Sequence, residues 1–209
     1  MNMELILTFI LASSLISLAP GPDNIFVLTQ SALYGRKSGI FVTLGLCSGL
    51  IVHTTAVALG VAAIFQASEL AFSILKYAGA AYLLYLAWQA FKAVPTDLHS
   101  SSSTILSPKG LYLRGIIMNI TNPKVSIFFL AFLPQFTNPT EDNLIIQFFI
   151  LGLIFIFVAM VIFTLIAILA GLLGNWLSQS PKNQSYLNRV AGVVFIALAA
   201  KLLVSNVSA

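Results

Sequence analysis

The sequence predicts an all-α integral membrane protein with six transmembrane helices, arranged as two inverted three-helix repeats in which helices one and four are broken. Three observations carry this expectation. The 209-residue chain is 59% hydrophobic and only 8% charged. A soluble domain carries roughly 25% charged residues, so this chain lacks the polar groups to cover a water-facing surface. Six apolar runs approach or exceed the ~20 helical residues that cross a hydrocarbon core. The first run of each half carries the same kind of helix breaker at an equivalent place.

The first run covers 5–33 and contains SLAPGPDNIF at 17–26. A proline in a helix interior removes a donor and clashes with the carbonyl four residues back. A charge at membrane depth costs a few kcal/mol more, about 2.5–3.5 on insertion scales. The run starts with Glu4 and no Lys or Arg, so it lacks the basic front of a cleaved signal peptide and reads as a retained span. The second run, 39–65, holds Gly45 and Gly49 in GxxxG spacing, which permits close helix approach within the molecule or across a homodimer seam. It also holds His53 and the single Cys47, the latter read as a packing residue. The third run, 70–91, contains Lys76, read as snorkelling to the interface with a place in the pathway as the alternative. Tyr77, Tyr82, Tyr85 and Trp88 here, with Trp176 later, read as interfacial or packing aromatics.

The Ser- and Pro-rich stretch VPTDLHSSSSTILSPKG, 94–110, is the one linker-like segment. It divides a first three-helix repeat, 1–93, from a second, 111–209. Three spans per half force the second half to run upside down, a common transporter plan. The fourth run, 111–136, contains NITNPKVSIFFL at 119–130, and Pro123 follows Pro22 by 101 positions. That offset sets Asp23 opposite Lys124. The fifth run, 144–173, includes IFIFVAMVIFTLIAILAGLL, apolar on all sides and so unlike the alternating strands of an outer-membrane barrel. The sixth is 187–204.

Charge distribution sets the expected orientation. Arg36 and Lys37 follow span one; Lys92, Lys109 and Arg114 flank the 94–110 stretch; Lys182 and Arg189 lie between spans five and six. The other loops carry Glu69, Glu141 and Asp142. The basic loops are therefore expected in the cytoplasm, the 94–110 linker included, and both termini outside, in a bacterial inner membrane. The formal charge of +4 is spent on this asymmetry, and no nucleic-acid partner is expected.

A helix broken in oil frees backbone N–H and C=O groups, which is tolerated where the break is buried in protein or lines a wet cavity. There the half-helix ends attract ions: N-terminal ends bind anions and C-terminal ends bind cations. Pro20, Gly21, Pro22, Asp23 and Asn24 at one break, with Asn119, Asn122, Pro123 and Lys124 at the other, are the candidate substrate-binding or proton-coupling residues. Asp23 would meet a substrate ammonium and Lys124 its carboxylate; the bland alternative is a mutual salt bridge. His53 is a candidate proton relay or simply the partner of a helix carbonyl. The chain has no P-loop, HExxH or GxSxG, and two histidines cannot form a three-histidine metal site. No enzymatic activity, cofactor or metal is expected.

The motifs SLAPGPDN (17–24), GLCSGLIVH (45–53), KYAGAAYLLYLAW (76–88) and NITNPKVSIFFLAFLPQF (119–136) resemble those of the lysine exporter and homoserine/threonine resistance (LysE/RhtB) family of bacterial amino-acid exporters. The resemblance implies six spans and amino-acid efflux driven by the proton motive force. Its first motif maps onto residues 20–24, and its second onto Asn119, Asn122, Pro123 and Lys124. The expected partners are then an amino-acid substrate, protons and the bilayer. Two other readings compete: a helper subunit of a larger complex, and a transmembrane redox protein, which Cys47 alone argues against because electron transfer through thiols needs a pair.

Overall fold

The computed structural model describes residues 3–61, 69–94, 106–138 and 143–204. They form eight α-helices. The first break separates α1 (Met3–Leu18) from α2 (Pro22–Tyr34), which meet at 61°. After Gly35, α3 (Arg36–Ala56) runs on into a π-helical turn, Val57–Val61. Next come α4 (Glu69–Lys92) and α5 (Pro108–Ile120). The second break, of 49°, leads into α6 (Pro123–Ile127), which tightens into a π turn, Phe128–Phe132, and a 3₁₀ turn, Leu133–Phe136. Helices α7 (Leu144–Gln179) and α8 (Pro181–Val204) complete the chain.

By length and composition, 36–60, 144–170 and 182–204 can each cross a membrane, and each bent pair adds one span if its two helices are counted together. That gives up to five. The expected third span is not among them, although α4 has 24 residues. The fifth run proves to be part of a 36-residue helix, about 54 Å long at 1.5 Å per residue and so longer than the hydrocarbon core is thick.

The outside of the bundle is greasy. Leu7, Leu11, Ile51, Leu153, Phe157 and Leu172 are all exposed, on a scale that soluble monomers avoid and lipid accommodates. The inside is packed through small residues. Gly45 of α3 lies against the Tyr112 carbonyl and within 3.0 Å, at its missing Cβ, of the Gly115 Cα on α5; Gly49 lies against Asn119. The GxxxG pair thus serves packing inside the molecule, not a dimer seam. A second seam joins α4 to α8, where Gly79 also abuts Ala131 of the second broken helix.

Phenylalanines fill the half of the bundle around the start of α1 and the end of the second broken helix. Phe9 packs on Phe136, and Phe128 on Phe132 and Phe155, with ring centroids 5.0–5.2 Å apart.

Candidate functional site

At both breaks the proline is the first residue of the new half-helix, where its missing N–H is an orphan anyway and its fixed φ is already helical. What the breaks free is therefore mainly carbonyls at the C-terminal ends of α1 and α5. Side chains from the opposite break supply donors for those of α1. Lys124 Nζ donates to Ile16 O at 3.3 Å and to Ala19 O at 3.0 Å. From the same break, Asn24 Nδ2 donates to Ser17 O at 2.7 Å. At the end of α5, the Asn119 carbonyl accepts from His53 Nε2 at 3.1 Å and from the Asn122 backbone N–H at 3.1 Å. A carbonyl can only accept, so Nε2 is the protonated nitrogen of His53.

Asn122 ties the breaks together. Its Oδ1 accepts from the Lys124 backbone N–H at 3.0 Å, capping α6, while its Nδ2 donates to Asp23 Oδ2 at 2.8 Å. Asp23 is 1% exposed and Lys124 6% exposed. Both line one small cavity with Ser17 and Asn119, walled on its apolar side by Leu50, Phe155 and Phe163. The cavity holds about one water. Binding an amino acid there requires the helices to separate.

The structure brings together Asp23, Asn24, Asn119, Asn122 and Lys124, and seats Pro20, Gly21, Pro22 and Pro123 in the backbone that positions them. Gly21 lies close under the ammonium: a Cβ there would sit 3.0 Å from Lys124 Nζ and crowd it. His53 touches the site through the Asn119 carbonyl, its ring tilted 37° to that of Phe129 with centroids 5.6 Å apart. The bland alternative of a mutual salt bridge is not what is found. Among the described residues no ion pair joins Asp23 to Lys124; the acid is held by an amide, and the ammonium by two backbone carbonyls. Lys76 is likewise not snorkelling. It is buried on α4, its ammonium 5.7 Å from the Tyr77 ring. Tyr77, Tyr85 and Trp88 face outward, Trp88 beneath Lys92 at 4.4 Å, as interfacial anchors do. Cys47 is buried and unpaired. Glu141, Asp142, residues 95–105 of the linker and the Trp176 side chain lie outside what the structure describes.

Sequence reasoning missed Ser17 as a cavity residue, along with the carbonyls of Ile16 and Ala19. Ser17 stood inside the quoted motif, yet a serine in an apolar helix usually bonds its own backbone one turn back. Nothing in the one-dimensional pattern marked it as unpartnered.

Two broken helices, crossed at a buried polar cavity inside a lipid-facing bundle, define a membrane translocator of small solutes. The chain belongs to the LysE type translocator family, whose model matches residues 14–206. It is 38% identical over 203 residues to the homoserine/homoserine lactone efflux protein of Salmonella typhimurium, covering 97% of each chain. Identity to the leucine efflux protein of Salmonella typhi is 28% over 196 residues, covering 93% of this chain and 92% of that one. A membrane protein of Vibrio cholerae is 31% identical over 94% of this chain and 95% of its own. No solved structure matches the chain. Membership bears out the resemblance read from the motifs, and makes this a multi-pass membrane transporter rather than an enzyme.

Proposed function

We propose that this protein exports amino acids, or close derivatives such as their lactones, from the cytoplasm in exchange for protons. The observation that carries the reading is the acid and base brought to one cavity by two broken helices. Asp23 Oδ1 has no hydrogen-bond partner within the protein, so it is open to a proton or to a substrate ammonium, and protonation removes the negative charge that holds the ammonium. A proton arriving from outside weakens the grip on the substrate's amino group, and its departure to the cytoplasm restores the seat; competition of this kind is what antiport requires. Lys124 stands ready for a carboxylate with the proton it does not spend on Ile16 and Ala19. His53 orients Asn119, the bland role, because its Nε2–H is committed to that carbonyl. The efflux activities in the names of the Salmonella relatives agree in direction and in substrate class.

The architecture we infer is six spans in two inverted halves, 1–93 and 111–209, with linker 94–110 in the cytoplasm and both termini outside in a bacterial inner membrane. The helix pairings support it. Under inversion spans one, two and three exchange with four, five and six, so 2–4 contacts should mirror 1–5, while 2–5 and 3–6 map onto themselves. The principal pairings are α3 on α5, α4 on α8, α3 on α7, α2 on α3, and α1 and α2 on α7; all but α2 on α3 fit this exchange, and that one has no counterpart of similar extent between spans four and five.

Purified protein in liposomes tests the function. An outward proton gradient across vesicles, with the protein in either orientation, should drive accumulation of a labelled neutral amino acid, abolished by Asp23→Asn. Absence of uptake of all twenty amino acids, homoserine and homoserine lactone would favour a helper subunit instead.

A further inference from the structure

Seven buried side-chain atoms among the described residues have no hydrogen-bond partner in the protein, and every one is an oxygen. Three of them, Ser17 Oγ, Asp23 Oδ1 and Asn119 Oδ1, belong to residues that line the cavity at the breaks. These residues are 3%, 1% and 1% exposed. Buried polar atoms are almost always paired, so three orphans around one cavity point to a missing ligand.

Their chemistry restricts what that ligand is. An ionised carboxylate oxygen and an amide oxygen only accept, and a hydroxyl does either. The neighbouring amide donors offer these oxygens nothing, because Asn122 Nδ2 and Asn24 Nδ2 are already engaged with Asp23 Oδ2 and the Ser17 carbonyl. The one cationic donor at the cavity, Lys124, spends two of its three N–H groups on Ile16 O and Ala19 O. The cavity is therefore rich in acceptors and short of donors.

We propose that Ser17 Oγ, Asp23 Oδ1 and Asn119 Oδ1 form a three-point seat for a primary ammonium group, the amino end of the transported molecule. Three acceptors match three N–H donors, and the Asp23 charge offsets the ammonium. The other end of the substrate meets the wall of Leu50, Phe155 and Phe163 and the single remaining Lys124 proton, so it contributes less to affinity. Recognition is thus by the amine, with the carboxylate dispensable. This rests on the exporter reading above and adds Ser17 to the site.

The test begins with the tightest binder among the twenty amino acids and L-homoserine, measured calorimetrically on purified protein, together with its methyl ester and its N-acetyl derivative. The ester, which keeps the ammonium, should bind within about tenfold of the parent. The N-acetyl compound, which keeps only the carboxylate, should bind about a hundredfold more weakly or worse, since hydrogen bonds to a charged group are the strong ones. Ser17→Ala should weaken parent and ester about tenfold. It should leave the melting temperature of the unliganded protein unchanged or raised, because it deletes a hydroxyl that bonds nothing. Equal binding of the N-acetyl compound, or unchanged affinity in Ser17→Ala, would overturn the seat while leaving an exporter. Stabilisation by sodium chloride over potassium chloride, lost in Ser17→Ala, would overturn it by assigning the three oxygens to a metal ion. If neither any of these compounds nor L-homoserine lactone binds the wild-type protein, the exporter reading falls and the seat falls with it.

Discussion

Asn122 holds Asp23 with one end of its amide while the other end starts a helix, through bonds of 2.8 Å to Asp23 Oδ2 and 3.0 Å from the Lys124 backbone N–H. The two functions separate in mutants. Asn122→Ala should lower stability by about 1–2 kcal/mol for the lost cap and also abolish export. Asn122→Ser keeps a good cap but cannot reach Asp23. Its melting temperature should return most of the way to wild type while efflux stays low. Normal efflux from the serine variant would show that the amide's grip on Asp23 is unimportant.

The swap of Asp23→Lys with Lys124→Asp should rescue nothing. A simple ion pair tolerates inversion, but these two charges have separate partners. An aspartate at 124 cannot donate to Ile16 O and Ala19 O, and a lysine at 23 cannot accept from Asn122. Each carbonyl left bare costs about 1–3 kcal/mol. Membrane abundance and efflux, measured side by side for both single variants and the swap, check this. Export at wild-type rate by the swapped protein would return the pair to a structural salt bridge.

His53→Gln should export nearly as well as wild type, since an amide N–H can replace the imidazole N–H toward the Asn119 carbonyl. His53→Leu should lose about 0.5–1.5 kcal/mol of stability with the hydrogen bond and most of its export. Equal failure of both variants, with normal folding, would make the histidine a proton carrier.

Gly45→Ala should destabilise the protein by about 1–3 kcal/mol, as overpacking does, because its new Cβ falls on the Tyr112 carbonyl. Gly60→Ala is the control: among the described residues nothing lies within 4 Å of a Cβ there. Thermal unfolding in detergent compares them, and equal midpoints would contradict the close approach.

Orientation follows from charge alone and is checked by labelling. In a Cys47→Ser background, a cysteine at position 102 should react with an impermeant thiol reagent only in inverted vesicles, and one at position 2 in intact cells. Labelling of position 102 from outside would reverse the topology.

Much of the site was legible because its residues are out of place. Asp23, Asn24, Asn119, Asn122 and Lys124 stand out in apolar runs beside prolines, and the 101-residue offset paired the breaks before any coordinates. The rest was hidden for reasons of physics. The carbonyls of Ile16 and Ala19 are backbone atoms, which every residue has, so no letter in the sequence marks the two that receive an ammonium. Lys76 and a surface lysine look alike until the neighbouring helices are placed around it. Hydropathy placed the ends of most helices within a few residues, yet could not foresee that α7 would continue through Gln179 without a break. The GxxxG pair announced a close contact and left its partner open, since the matching Gly115 lies in the other half of the chain.

That last contact reaches further. Gly45 belongs to 1–93 and Gly115 to 111–209, and where they meet, main chain rests on main chain with no side chain between. The covalent joint between the halves is therefore not what keeps them together; a buried surface of the kind that binds separate subunits already does so. Two chains separated between 95 and 105 would still carry the α3–α5 and α4–α8 contacts. A rocking of one half of the sequence against the other would have to tear this main-chain contact apart.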